Sequence, residues 1–440
     1  MTEQDLSRLF VAWVRQAAPY IHAFRGRTFV LAFGGETLQG DAAQALAFDC
    51  NLLASLGIRL VLVHGARPQI EVELKSRKLK PRYHKGLRIT DADALECVKS
   101  AMGVLRLEME ALLSKGLPST PMAGGGIRVA SGNYITAKPI GVVDGIDYQY
   151  TGAVRKVAAD SIRAALDDQD VVLISPLGVS PTGEIFNLAM EEVAEAVAIA
   201  LRADKLIFLG PTPGILDENG EVIDPLTADE AEDILEKRSD LPDELRRTLP
   251  SAIRACRQGV GRAHFLGRDE DGALLLELFT HAGAGTVVTR DPLARLREAS
   301  IEDVGGILAL IGPLEADGTL VRRSRELLEM EIERFSVLEH DGVIVGCAAL
   351  YPFSDEKAAE LACLAVQPEY RRSGYGEQIL QHCVARARRM GLKRLFVLTT
   401  RTAHWFIERG FKEVGVDDLP AKKRELYNLQ RRSKVLSRAI

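Results

Sequence analysis

The residues whose types and spacing point to chemistry lie between Glu360 and Gly376. An apolar run, Leu361–Val366, reads as a strand and breaks at Pro368. Arg371, Arg372, Gly374, Tyr375 and Gly376 follow. Ile379/Leu380, Cys383/Val384, Ala387 and Met390 then recur at helical spacing. A strand, a basic glycine turn and a helix make an anion site: backbone N–H groups close on the anion, and the helix start adds a partial positive charge. The turn is expected to hold a pyrophosphate. Glu360 is the one carboxylate of the strand that leads into it, and so is the candidate general base, acting directly or through water.

The spacing Val366-x-Pro368-x-Tyr370-Arg371-x-x-Gly374-x-Gly376 resembles the acetyl-coenzyme A loop of the GNAT acetyltransferase superfamily. That resemblance implies an acetyl transfer to an amine. The carbonyl must be polarised, the amine deprotonated and both substrates held in line. In such a fold the backbone of Leu364–Val366 flanks the acetyl and pantetheine arm. Thr399 ends the next strand, Leu395–Thr399, where it binds the amine or a water. Tyr427 stands where these enzymes often place a tyrosine near the thiolate; acid and core residue are both open readings. Two arginine-rich stretches, 320–323 and 428–434, fall near the acceptor pocket. Arginines bind carboxylates bidentately, so the expected acceptor carries two carboxylates.

The first 290 residues read differently. Phe29–Phe33, Leu60–Val63, Val171–Ser175 and Leu206–Leu209 are expected strands, and Leu46–Leu56 and Ala189–Leu201 expected helices. Strands alternating with helices imply a largely parallel sheet covered on both faces. FGGE (33–36), LVLVHG (60–65), GLRIT (86–90), ISPLGV (174–179), ADKLIFLGPTPGIL (203–216) and LLELFTHAGAGT (275–286) resemble the amino acid kinase family, acetylglutamate kinases above all. The resemblance implies a three-layer α/β/α domain, but its departures matter more. Ala32-Phe33 stands where those kinases carry a lysine. His64-Gly65-Ala66-Arg67 replaces a glycine-rich loop, and Pro250-Ser251 replaces a second lysine position. Phosphoryl transfer is mostly positioning and charge neutralisation, so the expectation is a kinase fold without kinase chemistry.

A non-catalytic fold of that kind joined to a GNAT α+β domain, with VRRSRE (321–326), HWFIERGF (404–411) and YNLQRRSK (427–434), resembles the bacterial N-acetylglutamate synthase family over nearly the whole chain. The resemblance implies acetylation of L-glutamate by acetyl-CoA, the first step of arginine synthesis, with L-arginine as feedback inhibitor. It places Arg322, and one of Arg431 and Arg432, on the glutamate, and Cys363 on the substrate side of the strand. It also places the inhibitor among Tyr20, Lys205, His264, Glu277, Gly283 and Gly285. Arginine-sensitive relatives of the N-terminal half assemble as hexamers through an N-terminal helix.

The expected organisation is an amphipathic helix at 1–24, a kinase-like regulatory domain at 25–290, a linker at 291–296 and a GNAT domain at 297–440. The helix either packs on its own domain or serves as an oligomerisation arm. At 440 residues, 47% hydrophobic and 27% charged, the chain is an ordinary globular one. A net charge of -5 gives no reason to expect nucleic acid. No apolar run reaches the length of a membrane span. Six scattered cysteines and eight histidines form no ligand cluster, which predicts a reducing cytoplasm and no metal.

Overall fold

The computed structural model describes residues 3–38, 40–115, 127–280, 283–340, 342–371, 374–427 and 433–440. They fall into two compact units, Met1–Asp291 and Pro292–Ile440. Among the described residues no helix is long and apolar enough to cross a membrane.

The first unit is built on an eight-stranded sheet among these residues. Thr28–Phe33 lies at its centre, parallel to Arg59–His64 on one side and to Lys205–Gly210 on the other. Alternation along these strands explains the layering. Val30, Ala32, Val61 and Val63 face one core with the helices Met190–Leu201 and Asp243–Arg257. Phe29, Leu31, Phe33, Leu60 and Leu62 face a second core with the helix Gly40–Ser55. A strand apolar on both sides must be covered on both sides, which gives the α/β/α sandwich. A four-stranded sheet formed by Ile135–Pro139, Gly152–Val157, Leu177–Val179 and Ile185–Asn187 adjoins it; the short, mixed strands gave no periodic signal.

The second unit is a seven-stranded sheet. Ala294–Glu298, Phe335–His340, Val343–Phe353 and Ala358–Val366 run as antiparallel neighbours. The first of these strands takes in residues 294–296, so the expected linker is shorter than 291–296. Ala358–Val366 is parallel to Arg394–Thr399, but the pairing stops at Glu360. Beyond Glu360 the two strands part, leaving one edge of residues 361–366 unpaired on that side. The helix Tyr375–Arg389 buries Ile379, Leu380, Cys383, Val384 and Ala387 against the sheet, the face its spacing predicts. The last strand, Lys434–Ala439, pairs with Arg394–Thr399 and was not expected from sequence.

Candidate active site

The strand Ala358–Val366 is irregular where the chemistry is expected. Its register against Val343–Phe353 shifts between Cys347 and Ala349, and Cys363 has a φ of 55°. This bulge keeps Glu360 and Cys363 on one face, while Ala359, Leu361, Leu364 and Val366 pack on the other. Tyr351 pairs across the ladder with Glu360.

Arg323 completes that face. Its guanidinium lies beside the Cys363 thiol and the Tyr351 hydroxyl, and its backbone N–H donates to Glu315 Oε1 at 3.0 Å. Burial opposes its charge, but Cys363, Tyr351 and Glu315 together raise its pKa. The contact with Cys347 and the positive charge of Arg323 bring the Cys363 thiol down against its burial. Tyr351 donates to Glu331 Oε2 at 2.8 Å, and burial with that carboxylate pushes it up to about 12. Arg322, the arginine singled out by resemblance, is exposed; its neighbour faces the strand. Tyr351 was missed, because a tyrosine in an apolar strand reads as core. Arg431 and Arg432 lie outside the described residues, as does Arg372.

Glu360 is buried, and its Oε2 is 2.7 Å from Lys423 Nζ on the short helix Ala421–Glu425. A lysine partner for this carboxylate had no signal in the sequence. Thr399 is half-buried, and its Oγ1 accepts from the Thr402 amide at 3.0 Å and contacts the Thr402 hydroxyl at 2.8 Å. Tyr427 donates to the Ser433 carbonyl at 2.7 Å.

In the basic turn, Gly374 sits at φ 74° immediately before the helix, a conformation glycine adopts without strain. Gly376 is a glycine for another reason: a Cβ there would stand 3.2 Å from the Trp405 ring. Arg371 is exposed beside the turn. Tyr375 and Gly376 open the helix, where backbone N–H groups have no partner within the helix.

The residues expected to hold an inhibitor come together in the first unit. Lys205 Nζ is 3.1 Å from His264 Nε2, and His264 Nδ1 is 2.6 Å from Glu277 Oε1. An ammonium only donates, so Nε2 accepts and Nδ1–H donates to the carboxylate. Burial and Lys205 push the imidazole down to about 4 against the pull of Glu277. Burial would push the Glu277 carboxyl up; His264, the Ala284 amide and Lys205 outweigh it and bring it to about 2. Lys205 also lies 5.0 Å from the Phe24 ring centre, and Tyr20 is one turn before Phe24 at 6.1 Å between rings. The end of the N-terminal helix Glu3–Phe24 therefore reaches this cluster. One expectation changes. Gly283 and Gly285 are expected to meet the inhibitor, but the amides there are engaged: Ala284 and Gly285 N–H both donate to Glu277 Oε2, at 2.7 and 3.1 Å.

Residues 27–267 match the amino acid kinase family, and residues 312–411 match the acetyltransferase (GNAT) family. An amino-acid acetyltransferase of Azotobacter vinelandii is 55% identical over 98% of this chain and 100% of its own length. One from Ralstonia nicotianae is 53% identical over 98% of this chain and 95% of its own. The crystal structure of N-acetylglutamate synthase from Neisseria gonorrhoeae, complexed with coenzyme A and L-arginine, is 41% identical and superposes with a TM-score of 0.89. It covers 98% of this chain and 99% of its own. The chain belongs to the N-acetylglutamate synthase family. A second structure from the same organism, complexed with coenzyme A and N-acetyl-glutamate, is 42% identical with a TM-score of 0.63, over 98% of this chain and 99% of its own. Membership makes the chain an amino-acid N-acetyltransferase with acetyl-CoA as donor. Among the described residues, no group of three or more His, Cys, Asp or Glu side chains is placed to hold a metal.

For a member of this family, the kinase-like unit keeps a cavity of about 340 Å³ at the strand ends, lined by Gly34, Gly35, Gly65, Ala66, Asn187 and Glu191, among others. No lysine lines it. A Cβ on Gly65 would stand 3.2 Å from Gly34 Cα, so the two glycine turns pack on each other. Gln69 Nε2 donates to the Gly35 carbonyl at 2.8 Å and fills the approach. Glu191 is paired with Arg247 at 3.0 Å. Arg67, Arg88, Arg247 and Arg254 also line the cavity, so positive charge is present, while Ala32-Phe33 and Pro250-Ser251 stand at the positions where the resemblance to the kinases implies lysines.

Proposed function

We propose that the chain is an acetyl-CoA:L-glutamate N-acetyltransferase that makes N-acetylglutamate at the head of arginine synthesis and is inhibited by L-arginine at the kinase-like unit. The observation that carries the acceptor is Arg323, half-buried beside Cys363 and Tyr351 on the face that also bears Glu360. A guanidinium held on that face recognises a carboxylate of an amino-acid acceptor. Arg322, and Arg431 or Arg432, remain the candidates for a second carboxylate. The neisserial synthases, complexed with coenzyme A and either L-arginine or N-acetyl-glutamate, support both ligands.

In the proposed reaction, the pyrophosphate lies on the turn 371–376 and the pantetheine arm runs along the unpaired edge of Leu364–Val366. Glu360 takes a proton from the ammonium, directly or through water. The amine nitrogen bonds to the acetyl carbon, the carbon–sulfur bond breaks, and the thiolate leaves and is protonated. Lys423 holds the Glu360 carboxylate in one orientation before the transfer. Thr399 orients the amine or a water. Tyr427 is the candidate proton donor to the thiolate.

We infer that arginine enters the Lys205–His264–Glu277 cluster, with Glu277 pairing with its guanidinium or α-amino group and Lys205 with its carboxylate. Tyr20 ties the ligand to the N-terminal helix. That helix exposes Leu6, Phe10 and Trp13, at 53%, 68% and 61%. Such a face on a helix end that docks beside the cluster supports an arm linking copies of the chain into a hexamer. Six buried, unpaired cysteines fit work in a reducing cytoplasm.

One assay tests the reading. The pure protein is mixed with acetyl-CoA plus glutamate, glutamine or aspartate, and separately with ATP plus N-acetylglutamate. Thiol release with glutamate, much weaker with the amide and the shorter acid, is the expected result, because an unpaired buried arginine penalises an amide. Equal turnover of glutamine overturns the two-carboxylate acceptor, and ADP release in the second mixture overturns the loss of kinase chemistry.

A further inference from the structure

The described ends of the turn, Arg371 and Gly374, are each flanked by a tyrosine. Tyr370 closes the short 3-10 segment Pro368–Tyr370, and Tyr375 opens the helix Tyr375–Arg389. The two rings stack, with centres 5.5 Å apart and planes 25° from parallel, and both are buried. His340 packs against the pair, 5.0 Å from the Tyr370 ring and 6.0 Å from the Tyr375 ring. Its Nδ1 is 2.9 Å from the Tyr375 hydroxyl.

His340 is the last residue of the strand Phe335–His340 and pairs with Ala294 on one side and Val343 on the other. It is therefore held by two neighbouring strands before it touches the turn. A turn that binds an anion through backbone N–H groups works only if those groups are already at the right spacing. Otherwise binding must also order the loop, and affinity falls. Stacking Tyr370 on Tyr375 brings the two ends of the turn together. The histidine fixes that pair to the sheet.

We propose that His340 is a positioning residue for acetyl-CoA: through Tyr370 and Tyr375 it fixes the two described ends of the acetyl-CoA turn, Arg371 and Gly374, without touching the cofactor. The inference rests on reading 371–376 as the acetyl-CoA turn, and the experiment separates the two. Acetyl-CoA affinity by calorimetry and steady-state kinetics are measured on the full chain for the parent, His340→Ala, His340→Asn, Tyr375→Phe and Gly374→Ala.

Gly374→Ala tests the turn alone. Nothing lies within 4 Å of the added Cβ, but φ 74° strains any other residue. His340→Ala should weaken acetyl-CoA binding, and raise its KM, by about five- to thirtyfold, the effect of losing one or two modest contacts. Turnover at saturating acetyl-CoA should change by less than about twofold, because no transition-state contact is lost. His340→Asn, which returns a polar atom near the Nδ1 position, should recover part of the loss. Tyr375→Phe should weaken binding, and combining it with His340→Ala should add little, since both remove the same hydrogen bond.

If Gly374→Ala binds acetyl-CoA normally, the turn assignment fails. If Gly374→Ala is weak but His340→Ala binds normally, or loses turnover with KM unchanged, the proposal for His340 fails while the turn stands. Should His340→Ala not fold, His340→Asn and Tyr375→Phe decide by the same split of KM against kcat.

Discussion

At the scale of single residues, the reacting face depends on pairs rather than on isolated groups. Glu360 is held by Lys423 at 2.7 Å, which orients the carboxylate through Oε2. Glu360→Gln keeps the shape and removes the base. Turnover should fall by about a hundredfold to ten-thousandfold with a small change in glutamate KM. A variant with parental turnover would make Glu360 purely structural. Arg323 and Arg322 are adjacent, yet one is turned to Cys363 and the other is exposed. Arg323→Lys loses the planar fork and should raise glutamate KM at least tenfold, whereas Arg322→Lys should do much less. The reverse order would return the acceptor carboxylate to Arg322. His264 allows a test by pH. Folded, it titrates near 4, against 6.5 for a free imidazole. The unfolded chain binds the proton first, so the stability this site supplies is lost as pH falls from 6.5 towards 4. The Tm of the parent minus that of His264→Gln should therefore drop across that window. A constant difference would mean His264 does not titrate as a buried neutral base.

At the scale of elements, the irregular strand Ala358–Val366 does what a regular one could not. Regular pairing would consume the N–H and C=O groups of Leu364–Val366 on both edges. Parting from Arg394–Thr399 after Glu360 leaves one edge unpaired, the edge proposed for the pantetheine arm, and the bulge at Cys363 keeps Cys363 on the face of Glu360. A positive φ at a non-glycine position costs roughly 1–3 kcal/mol and persists where the surroundings impose it. Cys363→Gly removes the thiol and suits the backbone, while Cys363→Val forces a β-branched residue into the left-handed region. The glycine variant should keep most of the parental kcat/KM for acetyl-CoA and the valine variant should lose it. Equal losses would locate the effect in the thiol instead. Much of this unit was legible beforehand: the helix Tyr375–Arg389 shows its buried stripe in the spacing of Ile379, Cys383 and Ala387. Lys434–Ala439 was not, because its six residues show no alternation clear enough to stand apart from the arginine-rich stretch 428–434 expected near the acceptor pocket.

At the scale of the molecule, the kinase-like unit retains its sandwich and its cavity. The N-terminal helix ends against one of its buried polar chains, Lys205–His264–Glu277. Deleting residues 1–24 should lower the assembly mass in gel filtration with light scattering. It should also weaken arginine inhibition by about tenfold or more, because Phe24 and Tyr20 leave the cluster while the sheet residues stay; a coupling of this kind is typically about 1–3 kcal/mol. An unchanged mass rules out the arm, and unchanged inhibition removes the helix from the inhibitor site.

Periodicity and motif spacing alone determined the two-sided parallel sheet of the first unit and the basic glycine turn with its helix in the second; the GNAT fold, the acetyl-CoA reading of that turn and the missing kinase lysines came from the resemblance to known families. These are local properties: a 3.6-residue stripe, a two-sided apolar strand, or a glycine at a fixed offset is written in neighbouring positions. The tertiary structure alone decided which of two adjacent arginines faces the strand, that Lys423 sits on Glu360, that Gln69 closes the glycine turn and that Glu277 already occupies the amides of Ala284 and Gly285. Each of these joins side chains through the course of strands that part, bulge or pack across a sheet. A one-residue change of register or a 60° rotation of a side chain reverses such a pairing without altering any sequence pattern.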